Sequence, residues 1–339
     1  MHVTIERVAK QAGVSRALAS SVLSGGIPQI RYSEETRKKV QKAAKALNYK
    51  PKEVHGVGLI HSLGPMTPQE SSWVHWLGPM LESIHEEAVS DNKLVSVFGC
   101  SSSQIGRMFK GPNGPQILKR RKVDGLIVSG VFDEKLTDQI ALLGLPYVLM
   151  NVDNSDIHDT DSVFFDDAFA GRQATEYLVK RGHQRILHVS PRRVHEHYSV
   201  PHRRSGYEKA MADAGLEPQV LFEEIPENPE RENLLTPRLR QLLEGQDPPT
   251  AIFAYDEIVT IGCHHVLEGM NLNRNNVNLV TVGTNYTHLM RLWRIPQVAM
   301  PSRELGRQAY RMLMEKQETG RSLPSVALRG QIEEYQRGS

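Results

Sequence analysis

Apolar residues near the amino terminus recur at helical spacing. Ile5, Val8, Ala9 and Ala12 fall at i, i+3, i+4 and i+7, which predicts a short helix with one narrow apolar face. Thr4 stands where an N-cap hydroxyl is expected, and Glu6 lies in the first turn, where the helix dipole favours negative charge. Gly13 is suited to a left-handed stop, Ser15 to the next N-cap, and Val14 and Ala19 are spaced as a small hydrophobic staple. A second helix is predicted over residues 16–23, with Leu18, Val22 and Leu23 turned inward. The run Ser24-Gly25-Gly26-Ile27-Pro28 breaks it. A third helix starts at Ser33, carries Glu34 and Glu35 in its first turn, and keeps Val40, Ala43, Ala44 and Leu47 on one face. Three such short helices bury their apolar faces only against one another. The first two, joined by a tight turn, have the arrangement of a helix-turn-helix, whose second helix enters a DNA major groove.

Beyond residue 55 the pattern changes. Short apolar runs at residues 56–60, 94–98, 123–128, 147–150, 185–189, 251–254 and 278–282 read as strands. Amphipathic helices at 77–88, 168–181 and 258–269, and the end of another at 117–121, lie between them. This alternation predicts an α/β body of parallel sheets covered by helices on both faces, with ligands bound at the carboxyl ends of the strands.

A chain of 339 residues leads to an expectation of two or three domains. Its 39% hydrophobic and 24% charged residues suit a soluble globular protein, and it has no run of eighteen apolar residues. Cys100 and Cys263 lack metal or redox spacing and read as buried thiols in a reducing compartment. Because the sequence opens directly on the headpiece, no secretory leader and a cytoplasmic location are expected. Charge sharpens the picture. The formal net charge of +2 conceals a basic head, with eleven Lys and Arg against four Asp and Glu in residues 1–55, on an acidic body holding 30 and 35. That asymmetry favours nucleic-acid binding by the head over an inert three-helix bundle. His195, His197 and His202 sit in an Arg/Pro-rich loop without metal-ligand spacing. No P-loop, Gly-x-Ser-x-Gly elbow or metalloprotease motif occurs, so neither an enzyme nor a cofactor is expected.

Thr4-Ile5 with Val8-Ala9, Ala12-Gly13-Val14-Ser15, Ser21-Val22-Leu23, Ser33-Glu34-Glu35-Thr36-Arg37 and Leu47-Asn48-Tyr49-Lys50-Pro51 resemble the headpiece of the lactose-repressor (LacI) family of bacterial transcription regulators. The resemblance implies that Arg16 and Ala17 face base edges, with Ser21 one turn later. Thr4, Ser15 and Ser20 complete the DNA-facing set, and Lys10, Arg31 and Lys38 are phosphate candidates. Two departures stand out. The family commonly has an arginine where this chain has Ser21, which leaves Arg16 as the strong base reader and implies an altered operator. Only residues 52–55 separate Pro51 from the first strand, too few to nucleate the family's hinge helix.

The body resembles the family's effector domain, two Rossmann-like subdomains of periplasmic-binding-protein type. Val123-Asp124-Gly125, Asp166 with Gly171, Arg203-x-x-Gly206-Tyr207 and Glu304-Leu305-Gly306 stand in the family order. The expected organisation is a headpiece at 1–50, a linker at 51–55 and a body at 56–339. Its N-subdomain takes about 56–152 and 301–325, and its C-subdomain about 153–300 and 326–339. The resemblance implies an effector site at Arg203, Tyr255, Asp256 and Asn285, faced by Trp73, His75 and Trp76. Tyr255 replaces the family's asparagine, and Gly283-Thr284-Asn285-Tyr286 replaces its aspartate turn, so a carboxylate has become an amide that both donates and accepts. The expectation is a homodimeric repressor of a DNA operator, controlled by a carbohydrate or related polar metabolite. The competing expectation is a sugar-binding protein or sugar-modifying enzyme with a vestigial head.

Overall fold

The computed structural model describes residues 3–23, 32–49, 56–63, 73–101, 123–130, 144–152, 161–192, 197–224, 237–272, 276–283 and 288–335. The breaker at 24–28, Arg31, the linker at 51–55, the helix end at 117–121, His195 and Asn285 lie outside them.

The headpiece consists of α1 (Ile5–Ala12), α2 (Arg16–Leu23) and α3 (Glu34–Ala46). Val8 and Ala9, Ala19 and Val22, and Val40, Ala43 and Ala44 close one core, with Val14 and Leu47 packed against it. The turn follows from its residues. Gly13 takes φ 69°, and Ser15 Oγ accepts the Leu18 N–H at 3.2 Å. Ser33 Oγ likewise accepts the Thr36 N–H at 3.2 Å. Thr4 departs from expectation. It occupies the N-cap position, but its side chain makes no capping bond. The Arg7 N–H that such a hydroxyl would accept is turned to the Thr4 carbonyl instead, at 3.1 Å.

The body holds two six-stranded sheets. The first contains β1 (Gly56–Leu63), β2 (Leu94–Ser101), β3 (Gly125–Gly130), β4 (Tyr147–Met150), β5 (Ser162–Phe165) and β11 (Val326–Leu328), in the order β11-β5-β4-β3-β1-β2. All its pairings are parallel. The second contains β6 (Ile186–Arg192), β7 (Gln219–Glu224), β8 (Ala251–Ala254), β9 (Asn278–Gly283), β10 (Gln297–Ala299) and β12 (Gln331–Glu333), in the order β12-β10-β9-β8-β6-β7. Only the edge pair β10–β12 is antiparallel.

Sheet membership moves two expected boundaries. Residues 162–165 and 326–328 were expected in the C-subdomain, yet they pair with each other at the edge of the first sheet. Both strands are only three or four residues long, and β5 lies between β4 and β11, the latter more than 150 positions away, so no local pattern reports their pairing. The chain therefore passes between the subdomains after β5, after β10 and between β11 and β12.

Helices pack as the alternation requires. In the first subdomain α4 (Trp73–Ser90) and α10 (Ser302–Thr319) cover the sheet through Leu77, Met80, Ile84, Leu305, Ala309 and Leu313. In the second, successive β8 residues point to opposite faces. Ile252 and Ala254 meet α7 (Pro237–Leu243) and α8 (Glu257–Gly269), beside α9 (His288–Trp293). Ala251 and Phe253 meet α5 (Asp167–Val179) and α6 (Ser199–Asp213). Burial on both faces explains why the strand is apolar throughout.

α5 and α6 touch backbone to backbone. A Cβ at Gly171 would lie 2.1 Å from the Arg203 carbonyl oxygen, and one at Gly206 would lie 2.0 Å from the Ala168 carbonyl oxygen. Next to Gly206, the buried Tyr207 donates its hydroxyl to the Ile186 carbonyl and accepts the Gln219 N–H, both at 2.7 Å. This fixed approach of the two helices places Arg203 against the first turn of α5.

Candidate nucleic-acid interface and effector cleft

The start of α2 is an open surface. Arg16, Ala17 and Ser20 are exposed, as are Thr4, Lys10 and Ser15 around them and Lys38 on α3. Arg16 Nη1 lies 3.2 Å from Glu6 Oε1, and both side chains are largely in solvent. An exposed pair of this kind contributes little, so the guanidinium can readily take another partner. Ser15 Oγ is engaged as the α2 cap, which leaves one lone pair and its proton for any other partner. Ser21 departs from expectation: the residue is half-buried, and its Oγ is covered by the bundle. Arg31 lies outside the described residues. On α3, Lys39 pairs with Glu35 at 2.8 Å and Arg37 approaches Glu34 at 3.6 Å, while Lys38, Lys42 and Lys45 stand exposed beside them.

The second polar centre lies at the carboxyl end of the second sheet, where α5, α6 and α8 all begin. Arg203 is 5% exposed. Its Nε donates to Asp167 Oδ1 at 2.7 Å, its Nη1 donates to the Tyr255 carbonyl at 2.7 Å, and the guanidinium lies 4.5 Å from the Tyr255 ring centre. Burial opposes the charge on Arg203, but the Asp167 carboxylate outweighs it and holds the guanidinium protonated. The second Asp167 oxygen, Oδ2, is buried and has no hydrogen-bond partner among the described residues. Asp256 caps α8 by accepting the Val259 N–H at 2.8 Å and remains half-buried.

Tyr255 is more enclosed than expected for a ligand contact. Its hydroxyl and Ser199 Oγ lie 2.5 Å apart. Ser199 Oγ is 2.8 Å from His197 Nδ1, and His197 Nε2 donates to the Asn151 carbonyl at 3.0 Å. Asn151 follows β4, so this contact spans the two subdomains. Tyr198 adds a second contact, its hydroxyl donating to Asn151 Oδ1 at 3.2 Å. Asn285 is outside the described residues, and of Trp73, His75 and Trp76 only the backbone, in the first turn of α4, is described.

The site therefore includes residues that sequence reasoning missed: Asp167, Ser199, Tyr198 and Asn151. The pair Asp166-Asp167 was the available signal, since Asp166 caps α5 through the Phe169 N–H and leaves Asp167 to face inward. A shallow groove of about 430 Å³ on the outer side of α5 is not a competing site. Its cations Arg172, Lys180 and Arg181 are already paired, the first two with Glu176 and the third with Glu334. Among the described residues no three His, Cys, Asp or Glu side chains are grouped to hold a metal, and no helix is long and apolar enough to cross a membrane.

A basic helix-turn-helix joined to two α/β subdomains with a polar cleft is the build of a DNA-binding regulator. Residues 4–52 match the family model described as "Bacterial regulatory proteins, lacI family", and residues 114–328 match "Periplasmic binding proteins and sugar binding domain of LacI family". The chain belongs to the LacI family of bacterial regulatory proteins. It is 26% identical to the HTH-type transcriptional repressor PurR of Mannheimia succiniciproducens, over 97% of this chain and 98% of that protein. It is 27% identical to catabolite control protein A of Priestia megaterium, over 92% of each. In fold it is similar to the transcriptional regulator CelR–cellobiose complex, with TM-score 0.65, 22% identity and 98% of each chain covered. The lac repressor dimer bound to operator and the anti-inducer ONPF gives TM-score 0.66, 19% identity and the same coverage.

Proposed function

We propose that the protein is a homodimeric cytoplasmic repressor that reads its operator through Arg16 and is controlled by a carbohydrate or related polar metabolite. The observation that carries the effector half is the enclosed Arg203–Asp167 pair at the carboxyl end of the second sheet, where one Asp167 oxygen meets no donor among the described residues. A ligand hydroxyl supplies such a donor. Asp256, Tyr255, Asn285, Trp73, His75 and Trp76 complete the proposed site. The family description of a sugar-binding domain and the cellobiose bound to the CelR neighbour support the ligand class.

Two measurements test this reading. Thermal-shift screening against mono- and disaccharides should reveal at least one that raises the melting temperature of the body. A ligand at a hundred times its Kd stabilises by about 2.7 kcal/mol. No shift with any sugar, alongside a shift with another metabolite class, would exclude the carbohydrate assignment. On the DNA side, Arg16→Ala should weaken binding to a site selected from random DNA by about 5- to 150-fold, the equivalent of one bidentate guanine contact of roughly 1–3 kcal/mol. Binding to unselected DNA should fall only slightly. Equal losses on both would make Arg16 a backbone contact.

A further inference from the structure

We propose that His197 is a positioning residue: it carries a one-way hydrogen-bond relay from Tyr255 in the second subdomain to Asn151 in the first, and so ties the subdomain contact to the state of the effector cleft. This rests on the reading of Arg203 and Tyr255 as the effector site. The polarity of the relay follows from the groups themselves. The Asn151 carbonyl only accepts, so His197 Nε2 carries a proton. Two donors face the other ring nitrogen, the Ser199 N–H at 3.3 Å and the Ser199 hydroxyl at 2.8 Å, so Nδ1 is the acceptor and the imidazole is neutral. With its proton directed to Nδ1, Ser199 Oγ accepts from the Tyr255 hydroxyl. Four groups are thus aligned in a single direction, and reversing any one of them breaks a neighbour's bond.

The two ends of the relay are anchored. Tyr255 is held through its carbonyl by Arg203, which is held in turn by Asp167. Asn151 is 6% exposed, adopts a left-handed backbone at φ 57°, and donates its N–H to the Val163 carbonyl of β5 at 2.8 Å. A ligand hydroxyl that accepts the Tyr255 proton removes the donor on which Ser199 depends. The Ser199 hydroxyl then becomes a weaker donor to His197, and the His197–Asn151 contact between the subdomains loosens with it. Occupancy is thereby read as a change in how firmly the subdomains are joined, which is the differential interaction that allosteric control requires.

The test is hydrogen–deuterium exchange on the ligand-free full chain, read at the Asn151 amide. Tyr255→Phe removes one oxygen in the second subdomain and leaves the ring beside Arg203 in place. Exchange at Asn151 should rise about tenfold, within the usual range for coupling between sites. His197→Phe should raise it equally, and the double variant should raise it no further. His197→Gln presents one donor and one acceptor in the same sense and should restore the wild-type rate. A rise confined to β8 and α8, with Asn151 unchanged, would overturn the relay. Tyr255→Phe, His197→Phe and the double variant should shift affinity for a site selected from random DNA by a common factor of about five to ten, and His197→Gln should not. A wild-type protein that selects no site, but shows the exchange coupling, would refute the regulator reading and leave the relay standing. A wild type that selects a site, with variants binding it equally and exchanging normally, would refute the relay alone.

Discussion

Replacing Asp167 by alanine lowers the stability of the body by about 3–5 kcal/mol, the usual loss when one partner of a buried ion pair is removed. The magnitude comes from what remains. Arg203 is 5% exposed where α5 packs on α6 at Gly171 and Gly206, so its guanidinium stays largely removed from water once the carboxylate is gone. It keeps the Tyr255 carbonyl and the Tyr255 ring but loses the carboxylate that its Nε bonds. Asp167→Asn costs less, because an amide oxygen still accepts from Nε. The double variant Asp167→Leu, Arg203→Met recovers much of the loss, since an apolar pair carries no desolvation cost. Urea unfolding of the three variants measures this. A loss below about 1 kcal/mol for Asp167→Ala would mean that the guanidinium finds solvent and that the pair is not closed.

Acidification from pH 7 to pH 5 destabilises the body by about 4 kcal/mol through two histidines. His61 on β1 is 3% exposed, and His188 on β6 is fully enclosed, stacked on Phe253 with its Nδ1 donating to the Phe253 carbonyl at 3.0 Å. Burial pushes each down to about 4, against partial relief from a backbone hydrogen bond to Ser129 for His61 and to Phe253 for His188. Their neutral forms are therefore the folded ones. The unfolded chain binds protons at these residues near pH 6.5 while the fold does not bind them until about pH 4. Well above pH 6.5 the rings are neutral in both states and nothing is lost. Between pH 6.5 and 4 the unfolded state binds more protons, so stability falls with pH, by about 2 kcal/mol per histidine at pH 5. Below pH 4 the loss levels off. His188→Leu should halve the difference between unfolding free energies measured at pH 7 and pH 5. A stability that is flat across this interval would contradict the burial of both rings.

The headpiece was legible almost residue by residue, because each of its features is a local one. A glycine with positive φ at position 13, serine caps at 15 and 33, and an apolar stripe are all decided by neighbours within one or two turns. Thr4 shows the limit of such reasoning, since a backbone carbonyl took the donor meant for its hydroxyl. The central strands of the body were legible because both of their faces are buried, while β2 was legible as an apolar run although Leu94 and Val97 are exposed. The short strands β5 and β11 were not, since β11 is fixed by a partner more than 150 positions away and β5 lies between it and β4. At the cleft, Arg203 was found from its motif, but its partner was not, because Asp167 and Arg203 meet through a backbone approach that only two glycines 35 positions apart permit. His197 carried the wrong question. Its spacing was weighed for metal, whereas its two nitrogens serve a donor on one side and an acceptor on the other.

The three passages of the chain between the two sheets set how this protein can change over generations. The headpiece occupies one continuous stretch of sequence, so a single recombination point within residues 50–55 exchanges the whole DNA-reading unit for another. Neither wall of the cleft is continuous. The first sheet is completed by β11, which returns after the entire second subdomain except β12 has been laid down, and Gly330 sits against the Ala299 carbonyl where two of the passages run side by side. Swapping one wall would need three simultaneous joins that preserve this contact. Inheritance therefore trades DNA specificity wholesale, while ligand specificity is left to change one side chain at a time.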